Sequence, residues 1–184
     1  MSHERRYASS AGRLRSAERV ALLEVPRVID LSREGLPDSA EASVLDVGTG
    51  TGIFAEAFRH RGVRVTGLDA NPDLLAEARR LVPGVTFTNG TAEELAFPAG
   101  SFDLVFLGLV LHETDDPLRA LSEARRVARQ RVMVLEWPHP GDDRGPPLAH
   151  RLTASEIEAL ATRAGFVRVE RIDLSYLALY RLTP

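Results

Sequence analysis

Between residues 44 and 54 the chain reads VLDVGTGTGIF, with Gly48, Gly50 and Gly52 at alternate positions after an apolar run and before a helical pattern. Glycines so placed allow left-handed backbone and leave no Cβ in the way, so a ligand can lie against the main chain. A helix starting at Gly52 also turns its first N–H groups toward such a ligand. Asp46 sits inside the apolar run, and Asp69 lies about 20 residues beyond the turn, where a carboxylate can hold ribose hydroxyls. His112, followed by Glu113, ends another apolar run, and a histidine there can take a proton near neutral pH. Glu136 and Trp137 close a later run, Trp137 offering an aromatic face, while His150 and Arg151 before a capped helix suit an anion. Plainer roles compete: Asp46 bonded to its own loop, His112 shaping a pocket, Trp137 simply packed, Arg151 paired with Asp142 or Asp143. His3, His60 and His139 do not cluster and cysteine is absent, so no metal is expected.

These residues need a scaffold that brings strand ends together. Apolar runs at 43–47, 63–68, 85–88, 101–108 and 131–136 read as buried strands. Helical stretches separate them: from the glycine turn to about residue 60, from 72 to 82, and from Asp116-Pro117 to about 129. Asn71 can cap the second and Pro72 suits its first position, while Pro83 and Gly84 stop it. Thr153 and Glu156 have the spacing of a capping box and open a helix ending near Gly165. Runs at 166–173 and 176–182 are too close for a crossover helix and should pair antiparallel. Upstream, residues 16–31 carry a helical period that Pro26 kinks or splits. The expected fold is α/β: a Rossmann-like, doubly wound, seven-stranded, mostly parallel sheet with an antiparallel strand near the C-terminus. Right-handed crossovers put the ligand crevice beyond the carboxyl ends of the strands, where the glycine turn, Asp69, His112 and Glu136 all fall. One domain is expected over 1–184, with 36–184 as its core and 1–35 as an N-terminal lid or helical segment. Residues 3–15, including Arg5, Arg6 and Tyr7, show no period and are expected to fold over the crevice and exclude water.

The chain's 184 residues, 44% hydrophobic and 27% charged, suit a folded domain rather than a disordered chain. A net charge of −3 supplies no field for nucleic acid or an anionic membrane, and neither is expected as a partner. The longest apolar run, 104–111, falls far short of the ~20 residues a membrane helix needs. All 23 residues counted as Lys+Arg are arginine, which excludes lysine Schiff bases, pyridoxal phosphate attachment and a P-loop lysine. Absent cysteines and a polar N-terminus without an apolar signal core fit a cytoplasmic location. Oligomeric state is left open.

Two cofactors use a turn of this kind. Gly50, Gly52 and Ala55 with Asp69 fit the dinucleotide fingerprint of a nicotinamide oxidoreductase. Against that, Asp46 at the mouth of the turn would repel a pyrophosphate and attract the cationic sulfonium and ammonium of S-adenosylmethionine. The match then extends beyond the turn. Residues 44–54 resemble motif I of the class I S-adenosylmethionine-dependent methyltransferases. Residues 66–72 (TGLDANP) are similar to that family's second-strand acidic motif, and 89–98 (NGTAEELAFP) to its adenine-side loop. Residues 101–105 and 107–112 resemble its fourth strand. The similarity runs from about residue 43 to 137 and is closest to small members related to quinone-biosynthesis methyltransferases. EWP at 136–138 with GPPLAHR at 145–151 resembles a bacterial subgroup of short members.

The resemblance implies an enzyme carrying out in-line methyl transfer from S-adenosylmethionine, with His112 as candidate base. It implies cofactor contacts at Asp46, Gly48, Thr49, Gly50, Gly52, Asp69, Ala70, Thr91, Ala92, Glu93 and Leu109. The chain departs from the family where Thr91 replaces a usual aspartate and Ala96 a usual proline. A hydroxyl then faces the adenine amino group, the Ala92 N–H stays available to the ring nitrogen, and Glu93 either substitutes or faces solvent. The link between the fifth strand and the last helix is about 15 residues, too short for a large recognition insertion, so a small-molecule acceptor is expected. A non-catalytic module that keeps the cofactor fold stays open.

Overall fold

The computed structural model describes residues 14–36, 41–141 and 144–184. Its strands are β1 (Ser43–Val47), β2 (Arg64–Asp69), β3 (Thr86–Asn89), β4 (Phe102–Gly108), β5 (Ala128–Glu136), β6 (Arg168–Asp173) and β7 (Ala178–Thr183), in the order β3-β2-β1-β4-β5-β7-β6. The first five run parallel; β7 inserts antiparallel between β5 and β6. The mostly parallel sheet read from the sequence is therefore present, and the two closing strands form the expected antiparallel pair. Strand order reverses at β1, which places the crevice beyond the carboxyl ends of β1 and β4.

Helices α1 (Ala17–Leu22), α2 (Val25–Arg33), α3 (Ile53–His60), α4 (Pro72–Leu81), α5 (Pro117–Val127) and α6 (Ala154–Arg163) flank the sheet. The upstream helical stretch does split near Pro26: Glu24 adopts a left-handed φ of 46° and Pro26 enters the first turn of α2. Asn71 caps α4 by accepting from the Asp73 and Leu74 N–H groups, and Thr153 with Glu156 forms the full capping box of α6.

The two-residue period of β1 assigns its side chains to opposite layers. Leu45 and Val47 join Leu121, Ala124, Ile157 and Ala161 beneath α5 and α6. Val44 joins Val28, Ile29, Phe54 and Phe58 beneath α2 and α3. Phe106 anchors that second layer, its ring centroid 4.7 Å from Phe54 and 5.5 Å from Phe58. Full burial of a phenylalanine such as Phe58 or Phe106 contributes roughly 1.5–3 kcal/mol. At the far end of the sheet Asp103 accepts from the Ser43 N–H (2.9 Å) and hydroxyl (2.7 Å) and from Arg129 (2.6 Å). Burial opposes its charge, but these donors hold the Asp103 carboxyl below its ordinary pKa. That cluster pins β1 to β4 and β5 away from the crevice.

The boundary that differs most from the sequence reading is the start of β5. The polar stretch at 128–131 extends the helical pattern of α5 to about 129, yet α5 stops at Val127 and β5 begins at Ala128. Ala128 pairs with Phe102 and Arg131 with Leu104, so β5 carries one extra residue in a bulge.

Candidate active site

The carboxyl ends of β1, β2, β4 and β5 open on a cavity of about 1170 Å³. Pockets for a single drug-sized ligand usually measure ~300–1,000 Å³, so this cavity exceeds what one such ligand needs. Among the described residues its walls carry five carboxylates (Glu18, Asp69, Glu93, Glu113 and Asp115) against the guanidiniums of Arg19 and Arg144. Such a lining favours a cationic ligand over a pyrophosphate.

The glycine turn forms one wall, and its glycines answer to different neighbours. Gly48 has φ +69° and a Cβ there would stand 2.6 Å from Val110, so close packing under the turn excludes a side chain. Gly50 has φ +55° and a Cβ there would meet nothing within 4 Å; its backbone borders the cavity itself. Much of the turn's polar capacity is engaged internally. Thr49 N–H donates to Leu68, Gly52 N–H to Thr49, and Gly50 N–H to Asp69 Oδ2 at 2.7 Å. Asp69 Oδ1 accepts from the Asn71 N–H at 2.8 Å. Each carboxylate oxygen keeps a second lone pair for a hydroxyl donor. The Thr49, Gly50 and Gly52 amides are thus already in use.

Asp46 lies elsewhere than the mouth of the turn. It is 1% exposed and faces the α3 layer, where its carboxylate accepts from Thr49 Oγ1 at 2.6 Å and from the Ala55 N–H. Gly52, the N-cap of α3, has no side chain to offer, and Asp46 does the capping from the neighbouring strand. Burial raises its pKa to about 7, and the nearby Asp69 charge pushes the same way. Asp46, Thr49 and Gly52 therefore shape the turn from behind and do not line the cavity. Exclusion of pyrophosphate rests on the engaged amides and the acidic walls rather than on Asp46 at the mouth.

Ala70, Thr91, Ala92, Glu93 and Leu109 all line the cavity. Leu109 carries the chain off β4 with a left-handed φ of 60°, held by its N–H to the Leu135 carbonyl at 2.9 Å. A non-glycine residue in that region costs roughly 1–2 kcal/mol, a strain found at ligand sites. Thr91 is exposed on the wall and Ala92 buried behind it. Glu93 is half-buried and does not stand free: its carboxylate accepts from the Asp115 N–H at 2.8 Å, and its carbonyl from Arg119 at 2.8 Å. It staples the loop after β3 to the start of α5.

His112 stands on a 3₁₀ turn (Leu111–Glu113) after β4, 7% exposed. Its Nδ1 lies 2.7 Å from Glu136 Oε2, and its backbone N–H donates to Glu136 Oε1 at 3.1 Å. Nε2 hydrogen-bonds none of the described residues; Glu113 Oε1 is 3.8 Å from it. Burial disfavours the imidazolium, but the charge and hydrogen bond of Glu136, with Glu113 behind, hold the His112 pKa above 6.5. The sequence reading placed Glu136 at the strand end but did not pair it with His112. Its signal is register: Gly108 aligns with Leu135 across β4 and β5, so residues just beyond both ends meet.

Trp137 is buried against the cavity, and the 144–147 segment packs on it. Gly145, at φ +83°, lies so near that a Cβ would stand 2.4 Å from the indole. Arg151 takes a structural role rather than anion binding. Its guanidinium donates to the carbonyls of Pro138, Arg144 and Pro146 and lies 5.7 Å from the Trp137 ring. Its expected partners Asp142 and Asp143 lie outside the described residues. His150 does line the cavity. Of the expected lid, Arg5, Arg6 and Tyr7 also lie outside the described residues. Its described end reaches the site: Leu14, Ser16, Arg19 and Leu22 border the cavity, and Arg15 donates to the Thr51 carbonyl and pairs with Glu56 on α3. Pattern reading did not find the Arg15 contact, because it joins residues far apart in sequence.

Comparison with known proteins follows this geometry. A family described as "Methyltransferase domain" matches residues 45–135. The demethylmenaquinone methyltransferase of Chlorobaculum tepidum is 35% identical over 99 residues, 53% of this chain and 41% of that protein. The phosphatidylethanolamine N-methyltransferase of Cereibacter sphaeroides is 37% identical over 109 residues, 56% of this chain and 53% of that protein. The chain thus spans about half or less of the curated relatives it matches. Among solved structures, a SAM-dependent methyltransferase from Aquifex aeolicus superposes with a TM-score of 0.81, covering 93% of this chain and 95% of that one at 21% identity. That likeness shows the fold.

Proposed function

We infer that this chain is a class I S-adenosylmethionine-dependent methyltransferase that transfers a methyl group to a small-molecule acceptor in the cavity beyond β1 and β4. The observation that carries the reading is the open space at Gly50 beside the Asp69 carboxylate, which already takes the Gly50 amide, on an acidic wall. S-adenosylmethionine supplies, when bound, an electrophilic methyl on a cationic sulfur. This chain's residues hold and align. Gly48 and Gly50 present bare backbone, Asp69 offers acceptor lone pairs to ribose hydroxyls, and Ala70 follows it on the same wall. Thr91 and Ala92 flank the adenine side, and Leu109 borders the centre. Asp46, Thr49 and Gly52 support the turn from behind, and Glu93 fixes the adenine-side loop. Trp137, the 144–147 loop and α1 wall the remaining volume, where an acceptor sits shielded from water. His112, at the edge of that volume, takes the acceptor's proton. We read residues 1–184 as one such domain, with 1–35 as the covering segment.

The relatives named above act on a quinone precursor and a phospholipid headgroup by their names, so the acceptor is not inherited from them. A small acceptor follows from the walled cavity and the short 138–151 loop. No helix of the described residues is long and apolar enough to cross a membrane. Incubation with trideuteromethyl-labelled cofactor and a size-fractionated cell extract tests the reading. Enzyme-dependent label is expected in small molecules; label confined to RNA or protein would overturn the choice of acceptor class.

A further inference from the structure

We propose that Glu136 is a positioning residue which fixes the His112 ring so that Nε2, facing the cavity, accepts the proton of the methyl acceptor. The inference rests on the methyltransferase reading of the cavity. Glu136 is 2% exposed at the end of β5, and among the described residues it binds only this corner: His112 Nδ1 at 2.7 Å, the His112 N–H at 3.1 Å and the Trp137 N–H at 3.3 Å. Two backbone donors lock the carboxylate, and the locked carboxylate dictates that Nδ1 carries the ring proton. Neutral His112 then exposes the lone pair of Nε2 toward the cavity it lines. Left alone in water a histidine has no such constraint, and a ring free to flip would present either nitrogen.

The proton step balances within the site. The acceptor's bond to hydrogen breaks, its electron pair stays on the acceptor as the nucleophile, and the proton forms a new N–H bond at Nε2. The imidazolium that results is held by Glu136 on one side and by Glu113, 3.8 Å from Nε2, on the other. Arg151, the remaining charged group acting on the ring, works in the opposite direction from the far side of the Trp137 corner. The acceptor class that needs this device is one carrying a removable proton, such as a hydroxyl or an acidic carbon, rather than a thioether or tertiary amine.

Long-range proton–nitrogen NMR of the ligand-free protein reads the proposal directly, with the His112 ring assigned through bonds from its own backbone amide. The wild type is expected to show the neutral ring protonated at Nδ1 and bare at Nε2, with a titration midpoint above the ordinary 6.5. Glu136→Gln should move that midpoint down, and Glu136→Asp should restore part of it. A wild-type ring protonated at Nε2, or a midpoint unmoved in Glu136→Gln, would overturn the proposal; the first measurement requires no variant to fold. Binding of S-adenosylhomocysteine is measured on the same samples. Normal binding with the wrong tautomer removes this inference alone, whereas the right tautomer without binding removes the functional reading beneath it.

Discussion

Asp46→Asn keeps an oxygen for Thr49 Oγ1 and the Ala55 N–H while removing a charge that burial makes unfavourable. The ordinary value of this carboxyl is 3.8 and its folded value about 7. Between those limits the folded protein keeps a proton that the unfolded chain has released. Wild-type stability from this group is therefore full below the lower limit, falls as pH rises, and levels off above about 7. The slope is at most ~1.4 kcal/mol per pH unit for one proton, and the interval sets a ceiling of about 4 kcal/mol. An asparagine does not titrate, so Asp46→Asn should gain on the wild type steadily as pH rises and hold its advantage above neutrality. His112, whose pKa is also raised, gives both proteins the same additional loss and cancels in the difference. Urea unfolding of both proteins, followed by circular dichroism from about pH 4 to pH 8, yields that difference as a function of pH. A constant difference at every pH, or a wild type that gains on the variant as pH rises, would refute the assignment of Asp46 as a buried, protonatable cap.

Asp69→Ala should weaken S-adenosylhomocysteine binding by ~1.5–3 kcal/mol in calorimetry, because hydrogen bonds to a charged acceptor are lost; unchanged affinity in a folded variant would contradict that role. Gly50→Val should abolish binding, since the side chain would project into the open space beside the turn at a φ of +55°, while helical circular dichroism is largely retained. Gly145→Ala should cost about 1–3 kcal/mol in thermal unfolding through overpacking on the Trp137 indole, which also changes tryptophan fluorescence.

Local signals carried much of the scaffold. β1 was readable to the residue because Val44, Leu45 and Val47 make a largely apolar run, as a strand buried on both faces does. The caps at Asn71 and Thr153 were readable because capping is settled within one turn of chain. The start of β5 was not, since Ala128 is drawn into the sheet by Phe102 on another strand and the residues after it, Arg129, Gln130 and Arg131, are polar. Asp46 shows the same limit within the site. Its type and place next to the glycines suggested a ligand contact, but strand alternation turns it toward α3, whose glycine N-cap leaves an amide for it to satisfy. Arg151 was read as anion-binding or paired with Asp142 or Asp143, yet loop carbonyls take its guanidinium, and Glu93, which lines the cavity, also ties the loop after β3 to the chain entering α5. The His112–Glu136 contact depends on the register of two strands, and no local pattern encodes it.

Calorimetric titration of the purified chain with S-adenosylhomocysteine, run beside NAD under the same conditions, tests the cofactor assignment most directly. Saturable one-to-one binding of S-adenosylhomocysteine is predicted, lost in Gly50→Val, with no binding of NAD. Binding of NAD instead, or of S-adenosylhomocysteine undiminished in Gly50→Val, would contradict a methyl-donor site on the glycine turn.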